Sequence, residues 1–153
     1  MRDTIALGVL SGLLGNIAKD ISNWLIYRAG KTEMLYGHLA SSMFSPAEKV
    51  REPGYFTVGQ ILDTVIGSLM GIPIVYLLNK TGKDNHLLKG AVAGMVLWGT
   101  LYGLGPNFSI LSLRPKLPRT HFSAFWNNLV YGLVAAQAAL SFADGDVFRG
   151  NRR

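Results

Sequence analysis

The sequence has no cysteine, which excludes disulfide scaffolds, thiolate metal sites, iron–sulfur ligation and cysteine nucleophiles together. Charge is scarce: 16% of the 153 residues are Asp, Glu, Lys or Arg against 49% hydrophobic, with a mean hydropathy of +0.25. That balance is too apolar for an ordinary small soluble domain. Proline is rare, six residues against eighteen glycines, and glycine spread through apolar stretches suits membrane helices, whose backbones pack closely. Also missing is the basic and aromatic stripe that nucleic acid requires. The net charge of +6 comes from residues at the ends of apolar blocks, where they meet lipid headgroups, so no nucleic-acid partner is expected. No GxSxG elbow or similar motif supports catalysis, and Ser123 near His121 does not make a triad. His38, His86 and His121 lie too far apart for a local metal motif and read as solvated or interfacial. The expectation is a protein that is not an enzyme and holds no cofactor or metal.

What is present is four long apolar blocks, about 5–27, 58–78, 87–104 and 122–142. At roughly 1.5 Å per residue each is long enough, or nearly so, to cross a hydrocarbon core of about 30 Å. Arg2 with Asp3 and the lack of a small-x-small site argue against a signal peptide, so the first block reads as a membrane helix. Pro73 falls inside the second block, and Pro106 ends the short third one, whose Lys89 snorkels. Between the first two blocks Leu35, Tyr36, Leu39, Ala40 and Met43 share an arc, which predicts a helix over about 32–44 lying in the interface. The turn NKTGKDNH makes the second and third helices antiparallel neighbours. Arg114, Lys116 and Arg119, among prolines, form a stiff basic segment at the lipid headgroups. No domain boundary or repeat appears, so residues 1–153 form a single transmembrane domain: an all-α membrane protein, a bundle of four transmembrane helices with a short interfacial helix after the first.

Small residues carry the helix contacts, because lipid tails are as apolar as leucine and close backbone approach is what remains to be gained. Gly8 and Gly12, Gly67 and Gly71, Gly90 and Gly94, and Gly99 and Gly103 each have the four-residue spacing, and Asn128, Gly132, Ala135 and Ala139 make a stripe on the last helix. The two pairs on the third helix point in nearly opposite directions, which predicts packing on both sides.

The blocks are not uniformly apolar. Gly12, Asn16, Asp20, Asn23 and Tyr27 share one face of the first helix with Lys19 at its edge, and Gln60, Asp63, Thr64, Gly67 and Gly71 make a matching stripe on the second. Counted from the membrane side where helix one ends and helices two and four begin, Lys19, Asp20, Asp63, Asn127 and Asn128 all sit roughly 9–12 Å deep, and Asn23 lies one turn from them. A charge at that depth costs a few kcal/mol unless paired, so Lys19 is expected to contact Asp63 directly or through the asparagines. Two functional readings follow. The layer of Lys19, Asp20, Asn23, Asp63, Asn127 and Asn128 passes a small ion or polar solute, or the protein is a structural or accessory subunit whose layer only locks the helices.

Basic residues outside the helices divide seven against seven between the two sides, which leaves orientation open and is compatible with a homo-oligomer, including an antiparallel one, or a membrane partner subunit. The KD pair of the first helix, YGHLA, the glycine-rich second helix, LLKGAVAGMVLWGTLYGL and HFSAFWNNLVYGL together resemble a group of small four-helix integral membrane proteins of Gram-positive, spore-forming bacteria with no assigned activity. The resemblance implies a multi-pass protein of a bacterial inner membrane and nothing about chemistry.

Overall fold

The computed structural model describes residues 1–104, 112–113, 116–144 and 147–148. It is helical, with no strand among the described residues. The elements are α1 (Thr4–Arg28), α2 (Tyr36–Ser41), α3 (Pro53–Thr81), α4 (His86–Leu104) and α5 (Pro118–Phe142). The four long helices fall on the four apolar blocks, with α3 extended at both ends. Of these, α1 and α3 are long and apolar enough to cross a membrane. Pro106 and Arg114 lie outside the described residues.

Several boundaries have a local cause. Asp3 caps α1, its Oδ1 accepting from the Ile5 and Ala6 amides at 2.8 and 3.0 Å. Pro53 and Pro118 open α3 and α5 at positions where a missing N–H costs nothing. Gly82, at φ +83°, ends α3. Lys89 does more than snorkel: from the first turn of α4 its Nζ reaches back to the Thr81 and Gly82 carbonyls, at 3.0 and 2.8 Å, and caps α3 with a cation at the negative end of its dipole.

The start of α5 is capped from a distance. Leu117 at its N-cap has no side-chain oxygen to offer. Glu33, in the connection after α1, supplies one: its Oε2 accepts from the Lys116 and Leu117 amides at 3.0 and 3.1 Å and from Thr120 Oγ1 at 3.1 Å. The Leu117 amide chiefly, helped by the Lys116 amide, Thr120 and the Arg119 charge, holds the Glu33 carboxyl below its ordinary value. A depressed carboxyl contributes stability above its unfolded value, about 4.3, and loses it as pH falls through the folded value. Wild type is therefore expected to lose thermal stability below about pH 4.3 more steeply than Glu33→Gln. At neutral pH that variant should be weaker by about 0.5–1 kcal/mol, the low end for a cap because the group is partly solvated. Parallel curves for the two proteins down to pH 3 would remove Glu33 as the cause.

The helix order in space follows the glycines. A Cβ built on Gly12 would stand 2.3 Å from the Ser68 carbonyl oxygen, and one on Gly71 only 2.1 Å from that of Gly8, so α1 and α3 touch backbone to backbone. Gly90 and Gly94 meet Gly132 and the Asn128 carbonyl in the same way, joining α4 to α5. Tyr131 and Ala135 lie against Gly15, joining α5 to α1. α3 and α4 touch as the neighbours that the tight turn predicts, but not extensively. α4 packs chiefly on α5 and barely on α3, because the glycine face of α3 is already filled by α1. Packing on both sides of α4 is not found among the described residues, where nothing lies within 4 Å of a Cβ built on Gly99; the surroundings of Gly103 lie outside them.

The interfacial helix over 32–44 is corrected as well. Only Tyr36–Ser41 is helical, and it presses into the bundle on α3, where a Cβ on Gly59 would meet the Gly37 carbonyl at 2.1 Å. Tyr36 and Ala40 are buried while Met43 is exposed, so the arc does not face lipid as a unit. His38 is buried too, not solvated. Its Nδ1 accepts from the Leu35 amide at 3.1 Å and its ring lies 4.9 Å from that of Phe56. Burial first, and then the Arg51 charge, holds this imidazole below its ordinary value.

The interior is divided along its length. Toward the chain termini it is dry: Leu7, Ile74, Val75, Leu78, Tyr131, Ala135, Ala136 and Ala139 form one cluster. Toward the α1–α2 connection it is polar, with Asn16, Lys19, Asn23, Asn127 and Asn128 all buried. Ile5, Ile17, Ile21, Trp24, Leu25, Val58, Ile61, Val65, Leu88, Val92, Val96, Phe122 and Trp126 are exposed on the outside. Polar residues inside and large apolar ones outside invert the arrangement of a water-soluble protein.

Candidate functional site, a charged cluster between helices

The polar half is built from two stripes that meet. On α1 the residues at 16, 20 and 23 follow the helical repeat, which turns them toward α3 and α5. On α3 Gln60, Asp63 and Gly67 do the same toward α1. Gly67 has no side chain, and Asn16 occupies that space: a Cβ there would lie 2.1 Å from Asn16 Oδ1. Without this gap Asn16 could not reach across to Asp63.

Lys19 is the centre. Its Nζ lies 2.8 Å from both carboxylate oxygens of Asp63, a two-pronged contact, and 3.7 Å from Oδ1 of Asp20. The aromatic face of Tyr36 closes over the ammonium at 4.0 Å from the ring centre. Asn16 donates through Nδ2 to both acids, at 3.1 Å to Asp63 and 3.3 Å to Asp20, and Gln60 Nε2 donates to Asp20 at 2.5 Å. Asp20 Oδ1 is buried and accepts no hydrogen bond. The expected contact of Lys19 with Asp63 is therefore direct. Its sequence neighbour Asp20 takes the weaker share, because successive side chains on a helix diverge by about 100° and Lys19 must bend back to meet it.

Asn127 and Asn128 belong to a second group and touch neither acid. Asn127 Nδ2 donates to Asn23 Oδ1 at 3.1 Å and Ser123 Oγ at 3.3 Å, and its Oδ1 accepts from Ser22 Oγ at 2.7 Å. Asn128 Nδ2 donates to the Tyr36 hydroxyl at 3.2 Å and to the Ala124 carbonyl at 2.8 Å. The single layer expected from depth is thus two sets: an ionic one between α1 and α3 and an amide one between α1 and α5. Tyr36 joins them, with its ring on Lys19 and its hydroxyl on Asn128. Sequence reasoning placed Tyr36 on an apolar arc and passed over Ser22, which lies off the stripe. Nothing local to YGHLA marks the tyrosine as part of the site, whereas Gln60 was marked by its spacing from Asp63.

Among the described residues, openings reach this half. A groove of about 450 Å³ between α1, the start of α2 and α3 is lined by Asp20, Ile21, Trp24, Tyr36, Phe56 and Gln60. A water-sized space of about 10 Å³ lies on the other side of Tyr36, beside Asn23, Thr120 and Ser123. Toward the termini the way is shut by the contacts of Gly8 and Gly12 with Gly71 and by the dry cluster. The site is one-sided.

Elsewhere, His86 Nε2 lies 3.0 Å from Gln137 Oε1, an exposed contact that ties the start of α4 to α5. Lys116 and Arg119 are exposed at the start of α5, while Arg114 lies outside the described residues. No family model matches the chain, and no curated protein or solved structure is significantly similar to it.

Proposed function

We propose that this is a non-enzymatic, multi-pass protein of a bacterial inner membrane, spanning it with α1, α3, α4 and α5, and that Asp20 takes up one positive charge from one membrane face. The inverted exterior supports the four spans. The polar residues of α5 that depress its hydropathy, Asn127 and Asn128, face α1 and Tyr36, leaving Phe122 and Trp126 for lipid. Lys116 and Arg119 then lie at the headgroup level, where anionic lipid attracts them.

The observation that carries the functional reading is a charge imbalance. One ammonium, Lys19, serves two carboxylates, and its two-pronged contact goes to Asp63. The buried set is one positive charge short, and a proton or monovalent cation at Asp20 makes it neutral. Asp20 is also the acid that lines the groove. Passage of a small ion or polar solute through the layer then proceeds by binding at this open side, with the shut half moving to release it.

The closed half favours the rival reading, a static lock in an accessory subunit. Liposome flux separates the two. Asp20→Asn leaves Lys19 matched to Asp63, so it is expected to fold normally and to abolish flux of protons or monovalent cations. If wild type passes nothing and Asp20→Asn changes nothing, the lock is the function.

A further inference from the structure

We propose that the groove beside Asp20 is a binding site for an organic ammonium ion with an apolar body; this rests on the reading that Asp20 takes up a positive charge. The groove, about 450 Å³, has the volume of a small-molecule site. Of its lining residues only Asp20 is charged, while Trp24, Phe56 and Ile21 give it apolar and aromatic walls. A carboxylate beside apolar walls matches a cation that also carries hydrocarbon, since the carboxylate attracts the charge and the walls cover the body, the Tyr36 and Trp24 ring faces already holding Lys19 and Arg28.

The alternatives fit less well. An anion would meet the Asp20 carboxylate, while Lys19 is buried under Tyr36 and committed to Asp63 and the Arg28 guanidinium lies over the Trp24 ring. A metal ion requires several oxygen or nitrogen ligands, and among the described residues no three of the His, Asp and Glu side chains converge. Amide N–H groups of Asn16 and Gln60, not oxygens, face Asp20. An acyl tail alone would leave the carboxylate unmatched. Ile21 and Trp24, about half exposed on the outer surface of α1, place the mouth of the groove on the lipid side, so an amphiphilic cation enters from the bilayer.

The test uses the full chain in lipid nanodiscs and three probes with one body: hexylammonium, hexanol and hexanoate. Binding is read by titration calorimetry against empty nanodiscs. Hexylammonium is expected to bind saturably, at least about tenfold more tightly than hexanol, which corresponds to one charge-assisted contact. Hexanoate should not bind. Asp20→Asn should erase the preference for the ammonium while Asp84→Asn, in the exposed turn after α3, leaves it intact. Should Asp20→Asn fail to fold, Trp24→Ala, at an outer wall, should weaken hexylammonium severalfold with little change in melting. Equal binding of hexylammonium and hexanol would reduce the groove to an apolar crevice and overturn the proposal. If small-cation flux depends on Asp20 yet hexylammonium does not bind, the ammonium site is wrong and the uptake of charge at Asp20 stands. If neither occurs, both are wrong.

Discussion

Replacing Lys19 with methionine is expected to cost the fold about 3–5 kcal/mol. Methionine nearly preserves the volume and the contact with Tyr36, so packing is not what is lost. Asp63 loses both of its 2.8 Å contacts and stands beside Asp20 with only Asn16 between them. Two mostly buried carboxylates left without a cation repel. The asymmetry of the cluster gives a control for each partner. Asp20→Asn removes the surplus charge and should leave stability within about 1 kcal/mol of wild type. The double change Lys19→Met with Asp63→Leu removes both ions and should recover most of the loss, as buried ion pairs exchanged for apolar pairs commonly do. Reversible unfolding in mixed micelles measures all three. If Lys19→Met were as mild as Asp20→Asn, the ammonium would not be the centre of the cluster.

The second large effect is expected from Gly12→Ala. Its new methyl group would lie 2.3 Å from the Ser68 carbonyl, 2.7 Å from that of Gly67 and 2.8 Å from the Gly71 amide nitrogen. All three are backbone atoms, which cannot swing aside, so α1 and α3 must separate at a cost of about 2–3 kcal/mol or more. Separation also lengthens the reach of Lys19 to Asp63, seven residues along the same face, so the ion pair weakens with the packing. Gly99→Ala is the matched control. Among the described residues nothing lies within 4 Å of its added carbon, and exchanging glycine for alanine in a helix gains up to about 1 kcal/mol. A loss on Gly99→Ala as large as that on Gly12→Ala would mean that glycine matters here for a reason other than close contact.

The first sequence-level expectations to succeed were those carried by spacing. Asn16, Asp20 and Asn23 lie on one face because three and four residues return a helix to nearly the same direction, and that is independent of what the face meets. Gln60, Asp63 and Gly67 follow the same rule on α3. Given two such stripes and one buried lysine, the cost of an unpaired charge already selects Lys19 with Asp63. The glycine pairs were legible for the same reason, though only as faces able to touch something.

What they touch was not legible. The α4 glycines pack on Gly132 and not on α3, because the matching face of α3 had been taken by α1, and that competition involves three helices at once. Tyr36 reads as one more apolar residue on a short arc, and its place between Lys19 and Asn128 depends on Gly59 leaving room for α2 to sink inward. Glu33 lies more than eighty residues from the helix it caps.

The sequence by itself determined that the chain is helical, which blocks are apolar, which polar residues share a face and that Lys19 must find an acid, since all of these follow from helical repeat and the cost of exposed charge. Only the tertiary structure decided that the contact of Lys19 with Asp63 is direct and two-pronged while Asp20 is left at the groove, and that the amides form a separate set. Those outcomes turn on which backbone can approach which, and close approach is a property of pairs of helices that no single stretch of sequence contains.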